Sequence, residues 1–323
     1  MPLKTYRDAL REALCEEMVR DERVLIMGQE VGVWGGTYAV TRGLLDEFGG
    51  KRVIDTPIAE DAIVGATIGA AMGGLRPIAE LMTINFSLVA MDQIVNNMAK
   101  IRFMFGGQMT IPLVVRTPAG WGQLGATHSQ TFESWFAHIP GLTVVMPSTP
   151  ADAKGLLKTA IRSENPVMFI EHARLYGVKG EVPEGDYTLP MGIPDVKRTG
   201  RDVTIVTYSR MVHVALEAAE TLAKDDIECE VIDLRTLRPL NLAPVYESVE
   251  KTHRAIVLEE DWTTCGMGAE IAARIGRDRF DYLDAPVERL GQVEAPMPYA
   301  RNLEEMMFPN EALLIEKVRK VFA

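Results

Sequence analysis

Cysteine is scarce: the 323 residues hold only Cys15, Cys229 and Cys265, far apart and with no Cys-x-x-Cys pair. That spacing argues against a disulfide framework or a cysteine zinc site and suits a reducing compartment. Long apolar runs are missing too. The longest, Ala62 to Leu75, is flanked by Asp61 and Arg76 and falls short of the roughly 20 residues that cross a bilayer. There is no Lys/Arg-rich stretch, and 45 acidic against 34 basic residues leave a net charge of -11, which repels a phosphate backbone. Neither a membrane nor nucleic acid is an expected partner. No Gly-x-x-x-x-Gly-Lys-Ser/Thr loop, Gly-x-Ser-x-Gly elbow or His-Glu-x-x-His helix occurs, which removes the usual phosphate-loop, serine-hydrolase and zinc-protease chemistries.

What remains is a well-balanced globular composition, 47% apolar and 24% charged, long enough for two hydrophobic cores. After Met1-Pro2-Leu3-Lys4, which shows no apolar signal core, Tyr6, Leu10, Leu14 and Met18 fall at helical spacing. Short apolar runs at Val24–Met27, Val53–Asp55, Ile111–Val115, Leu142–Val145 and Pro166–Ile170 alternate with helical patterns, the signature of a parallel sheet with crossover helices. Thr149-Pro150-Ala151-Asp152 carries a capping hydroxyl, a first-position proline and a first-turn acid. Between about Ala173 and Gly200 the pattern lapses, then strands resume at Val203–Val206, Glu230–Ile232 and Ala255–Leu258, with a last helix near Glu311 to Val321. The expected fold class is α/β: a larger domain over residues 1–185, a linker over 186–200 and a smaller α/β domain over 201–323.

Two segments following predicted strands invite ligands, because α/β sheets bind at strand carboxyl ends. They are Asp55-Thr56-Pro57-Ile58-Ala59-Glu60 and the glycine-rich loop Thr117 to Gln130, which ends in His128-Ser129-Gln130. Glu60 alone reads equally well as a helix N-terminal charge, and His128 as an ordinary loop residue. Together they form a candidate acid/base pair, with Gly120, Gly122 and Gly125 letting the loop pass close to a ligand. Gly266-Met267-Gly268 lacks the third small residue of a dinucleotide fingerprint, having Ile271 there, and reads better as a tight helix start. Gly65, Gly69 and Gly73, with Ala62, Ala66 and Ala70 beside them, leave one helix face nearly bare, fit for close packing inside a domain or, by a slight preference, at a subunit interface.

The Asp55–Glu60 segment resembles the pyrimidine-binding motif of transketolase-type thiamine diphosphate enzymes, specifically the beta subunits of 2-oxo acid dehydrogenases. Gly73–Ile78, Met82-Thr83-Ile84-Asn85-Phe86-Ser87 with Asp92-Gln93, His128-Ser129-Gln130, Asp152–Leu156, Asp233-Leu234-Arg235-Thr236 and Pro296-Met297-Pro298-Tyr299-Ala300 follow in the family's order. The resemblance therefore spans the chain. It implies a pyrimidine-binding domain with a parallel sheet flanked by helices, followed by a transketolase C-terminal-like α/β domain. It further implies oxidative decarboxylation of a 2-oxo acid with reductive acylation of a lipoyl group. By position, Glu60 contacts a pyrimidine-ring nitrogen of the cofactor, Met82 and Phe86 line its pocket, and His128 lies near the reacting carbon. The resemblance also brings a structural potassium ion on the backbone carbonyls of Leu113, Ala160, Ile161, Ser163 and Asn165, although Ala160 to Asn165 reads equally as a helix end before Pro166.

The family's diphosphate and magnesium motif, Gly-Asp-Gly with a later asparagine, has no counterpart, since no Gly-Asp-Gly occurs. An alpha subunit is expected to hold the diphosphate and magnesium in an alpha2beta2 heterotetramer that serves a lipoyl-bearing acyltransferase core. The Met82–Ser87 segment resembles pyruvate-using and acetoin-using members, and Thr127 stands where branched-chain enzymes carry a second histidine. Pyruvate is the first substrate choice, acetoin the second. A non-catalytic α/β assembly or cofactor-carrier subunit is the rival from another class, but it leaves both active-site-like segments unexplained. The compartment would be the cytoplasm in a bacterium, or the mitochondrial matrix or plastid stroma for a processed eukaryotic chain.

Overall fold

A computed structural model describes residues 1–120 and 122–322. The chain divides into two compact units, Met1–Gly122 with Trp135–Met191 and Gln123–Ser134 with Gly192–Ala323. The crossing at residues 191 and 192 lies inside the stretch read as a linker. Residues 123–134 group with the second unit, which no local sequence signal announced.

In the first unit, β1 (Leu3–Thr5) leads into α1 (Tyr6–Arg20), followed by β2 (Val24–Gly28), α2 (Leu44–Phe48), β3 (Val53–Asp55), α3 (Glu60–Met72) and β4 (Arg76–Glu80). Next come α4 (Ile101–Met104), β5 (Val114–Ala119), α5 (Glu133–His138, whose Glu133 and Ser134 group with the second unit), β6 (Thr143–Val145), α6 (Pro150–Arg162), β7 (Val167–His172) and β8 (Lys179–Glu181). Neighbouring strands run β6-β7-β5-β4-β2-β3, every pair parallel, as the alternating pattern requires. α1 starts where the Thr5 hydroxyl accepts the Asp8 N–H at 3.1 Å. Its Tyr6, Leu10, Leu14 and Met18 are all in the core beside Leu156, Leu157 and Ile161 of α6, each such burial being worth roughly 1.5–3 kcal/mol. α6 is capped by Thr149, whose hydroxyl accepts the Asp152 N–H at 3.1 Å. β5 begins only at Val114, not at Ile111, because Pro112 has no N–H to give a ladder; the strand then runs on to Ala119.

In the second unit lie β9 (Asp195–Arg198), β10 (Val203–Thr207), α7 (Met211–Leu222), β11 (Cys229–Asp233), β12 (Thr236–Arg238) and α8 (Ala243–Thr252). They are followed by β13 (Ala255–Trp262), α9 (Met267–Asp278), β14 (Glu288–Gln292), α10 (Arg301–Met307) and α11 (Glu311–Lys320). The order is β14-β13-β10-β11-β9, with only the edge strand β9 antiparallel. β9 lies within the expected linker; its Asp-Val-Lys-Arg sequence hides it, since charged edge strands lack an apolar run. Met211, Ala215 and Leu222 of α7 and Leu314 and Val318 of α11 pack on this sheet. Among the described residues no helix is long and apolar enough to cross a membrane.

Candidate active site

Strands β4, β2 and β3 are neighbours, and Gly28 pairs in register with both Asp55 and Glu80. Three strands thus end level, and the segments after them share one edge of the sheet. Gln29 follows β2, Glu60 opens α3 after β3, and Met82 and Phe86 follow β4. Glu60 is 4% exposed. It occupies the first position of α3, where the N-cap residue Ala59 offers no side-chain hydrogen bond, so the helix dipole acts on a carboxylate at its positive end.

Gln29, also buried, donates from Nε2 to Glu60 Oε1 at 3.0 Å. No donor among the described residues reaches Glu60 Oε2. Gln29 Oε1 and Thr56 Oγ1 are buried polar atoms without a hydrogen-bond partner among the described residues, an arrangement native proteins rarely leave unmet. The loop carrying Gln29 is fastened just after it. The Asp55 carboxylate accepts the N–H groups of Gly32 at 2.6 Å and Val33 at 3.0 Å, and the Thr41 hydroxyl donates to the Val31 carbonyl at 2.7 Å. Met82 and Phe86 are half-buried around a turn whose Thr83 hydroxyl accepts from Asn85 Nδ2 at 2.7 Å. The edge therefore offers a buried acid with one open oxygen, unpaired polar atoms and apolar side chains. That set suits a flat, partly apolar heterocycle carrying nitrogen atoms.

Deeper in the same sheet, the Arg116 guanidinium bridges the carboxylates of Glu80 and Glu171, and the Tyr176 hydroxyl donates to Glu171. Arg116 is 2% exposed. Burial pushes the Glu80 carboxyl upward against the pull of Arg116. This is a structural ion cluster, tying β4, β5 and β7 together.

Glu60, Met82 and Phe86 thus come to one edge, in the first unit. His128 belongs to residues 123–134, grouped with the second unit. It is half-buried, with Nδ1 2.9 Å from the Thr127 hydroxyl and its backbone N–H on the Gly125 carbonyl at 3.3 Å. Of the loop expected around it, Trp121 lies outside the described residues. The carbonyls proposed for potassium already receive protein donors. Leu113 takes the Val167 N–H and Ala160 the Ser163 N–H, while Arg76 reaches both Ile161 and Ser163 at 3.1 Å and the Ser163 hydroxyl reaches Asn165.

Gly266-Met267-Gly268 does open a helix, α9, and its Gly268 N–H binds Glu259 Oε2 at 2.7 Å. A Cβ at Gly268 would collide with Glu259 Oε1, so glycine is needed for this approach. Around Glu259 lies a buried acidic group that the sequence reading missed. The Tyr208 hydroxyl lies 3.1 Å from Glu133 and 3.3 Å from Glu259, and Ser134 donates to Asp261 at 2.6 Å. Burial, reinforced by the neighbouring acids, pushes Glu259 up to about 8, Asp261 up to about 6 and Glu133 well above its ordinary value. The only sequence hint was the acidic run Glu259-Glu260-Asp261 at the end of an apolar strand. Among the described residues no three His, Cys, Asp or Glu side chains are arranged to hold a metal ion. The glycine stripe of α3 is not packed on a second helix at Gly69, where a Cβ would meet nothing within 4 Å.

Residues 3–179 match the model of the transketolase pyrimidine-binding domain, and residues 194–313 that of the transketolase C-terminal domain. Fold and site thus define a transketolase-type two-domain α/β protein. A solved chain described as a split-gene transketolase, inactive beta4 tetramer, shares this fold with a TM-score of 0.80, at 22% identity over 98% of this chain and 97% of its own. Among curated proteins, the pyruvate dehydrogenase E1 component subunit beta of Rickettsia felis is 49% identical over 98% of both chains. Its namesake from Rhizobium meliloti is 50% identical over 99% of this chain and 70% of its own, and a mitochondrial beta-2 subunit from Oryza sativa is 48% identical over 94% and 82%. The chain belongs to the family of pyruvate dehydrogenase E1 component beta subunits.

Proposed function

We propose that this chain is the beta half of a pyruvate dehydrogenase that uses thiamine diphosphate to decarboxylate pyruvate oxidatively and to acylate a lipoyl group. The observation that carries this reading is Glu60: a buried carboxylate at a helix N-terminus, one oxygen fastened by Gln29 and the other open, in a chain about half identical to E1 beta subunits over nearly its whole length. When bound, thiamine diphosphate supplies a thiazolium carbon that becomes a nucleophile once its proton leaves. Glu60 Oε2 would hold a proton against a pyrimidine nitrogen and pass it along that contact. Met82 and Phe86 would cover the ring and exclude water. His128, with Nδ1 engaged by Thr127, would use Nε2 to orient substrate or protonate the departing sulfur.

With no Gly-Asp-Gly in the chain, the diphosphate and its magnesium belong in this reading to an alpha subunit, in an alpha2beta2 heterotetramer docked on a lipoyl-bearing acyltransferase core. A potassium ion on the carbonyls of Leu113, Ala160, Ile161, Ser163 and Asn165 is part of the proposal; each carbonyl oxygen has a second lone pair beyond the donor it already meets. The three free cysteines suit a reducing cytoplasm or organelle matrix.

Co-expression with the alpha chain, followed by decarboxylation assays on pyruvate, acetoin and branched-chain 2-oxo acids, tests the reading. Turnover is expected with pyruvate foremost. A complex that assembles yet acts on none of the three would return the chain to the non-catalytic class.

A further inference from the structure

Gln29 falls outside every motif that points to the site, yet among the described residues it makes the one side-chain hydrogen bond to Glu60. Both side chains are buried, at 5% and 4% exposure. An ionised carboxylate only accepts, so the amide must present its nitrogen to Glu60. Its oxygen is thereby turned away, and Gln29 Oε1 is left buried without a partner. The backbone that carries the amide is fixed on both sides. Before it, a Cβ on Gly28 would lie 2.6 Å from the Glu80 carbonyl oxygen, so the ends of β2 and β4 abut. After it, Asp55 holds Gly32 and Val33, and the Gly36 N–H closes on the Glu30 carbonyl at 2.8 Å.

We infer that Gln29 is a positioning residue for Glu60: its Nε2 anchors one carboxylate oxygen, presents the other to the cofactor ring, and confines the exchanged proton to Glu60. The inference rests on the reading of Glu60 as the acid that meets the pyrimidine. An amide is suited to this place because it donates a hydrogen bond without titrating. A carboxylate in its stead would repel Glu60 and share its proton. An aliphatic side chain would leave Glu60 Oε1 buried without a donor. The open Oε1 of Gln29 asks for an N–H or O–H from the cofactor or partner chain in the assembled site.

The test compares the wild-type complex with complexes carrying Gln29→Glu or Gln29→Leu, and uses Glu60→Gln as the control. The full chain without cofactor gives the first readout, the Glu60 carboxylate stretch in isotope-edited infrared difference spectra. The band is expected to shift in Gln29→Leu, because one oxygen loses its donor. Thiazolium proton exchange in the reconstituted complex with thiamine diphosphate gives the second. Gln29→Leu is expected to slow exchange by about 10–100-fold, the worth of a hydrogen bond to a charged group. Gln29→Glu, nearly the same size and able to fold where leucine fails, is expected to move the acid limb of the exchange profile to higher pH. The other acids on adjoining elements, Asp55, Asp61 and Glu80, are the same in every variant. An unshifted carboxylate band together with wild-type exchange and an unmoved profile would overturn the inference. If Glu60→Gln silences exchange while both Gln29 variants behave as wild type, this inference alone fails; if Glu60→Gln leaves exchange intact, the functional reading fails with it.

Discussion

Glu60 in the first unit and Glu259 in the second are both buried carboxylates near the carboxyl end of a parallel strand and beside a helix N-terminus, but their neighbours are opposite in kind. Glu60 meets a neutral amide and keeps one oxygen open. Glu259 meets the Gly268 N–H and the Tyr208 hydroxyl, with the acids Glu133 and Asp261 nearby, and burial pushes it up to about 8. Its unpartnered Oε1 is the natural seat of a retained proton. Burial and a raised pKa are therefore not what the role proposed for Glu60 rests on. A carboxylate that must exchange a proton with a ligand needs an open oxygen and neutral support, whereas one that keeps its proton serves the fold.

The largest expected effect breaks the comparison on the Glu60 side. Glu60→Gln should lower pyruvate decarboxylation about 10⁴-fold in a complex that assembles normally by sedimentation. Next, Arg116→Met should destabilise the chain by about 3–5 kcal/mol in denaturant unfolding, since Glu80 and Glu171 would be left buried without their cation. His128→Ala should slow single-turnover lipoyl acylation by about 10²-fold and leave thiazolium proton exchange unchanged.

The Glu259 side is sharpened by pH. Between its ordinary value of 4.5 and the folded value of about 8, the native state holds a proton that the unfolded chain has released, so stability falls as pH rises through that window. Glu259→Gln should flatten the fall, retaining roughly 2 kcal/mol more stability than wild type at pH 8, as read from urea midpoints across the range. A wild-type slope in the variant would remove Glu259 as its source. The smallest effect concerns the carbonyls of Leu113, Ala160, Ile161, Ser163 and Asn165. Replacing potassium chloride by sodium chloride at equal ionic strength should lower stability by about 1 kcal/mol, and equal unfolding curves in the two salts would dismiss the ion.

The parallel strands were legible because each is a short apolar run, buried on both faces. The place of Glu60, opening a helix just after a strand, was legible because its segment reads as a strand end followed by a helix start. β9 was hidden by its charges, and the end of β13 by the acids Glu259, Glu260 and Asp261, which look like a loop until their burial is known. Residues 123–134 lie in a glycine-rich loop of the chain, and nothing local reveals that they pack with elements beyond residue 191. Gln29 was missed for a related reason. Its partnership with Glu60 depends on β2 and β3 being neighbours that end level, a non-local fact no spacing encodes.

The most direct test of Glu60 as the activating acid is the rate of thiazolium proton exchange in complexes reconstituted with thiamine diphosphate, comparing wild type with Glu60→Gln at equal cofactor occupancy. Loss of exchange in the variant, with cofactor still bound, is the expected result. Exchange at the wild-type rate would contradict it and leave Glu60 as nothing more than a buried helix-start charge.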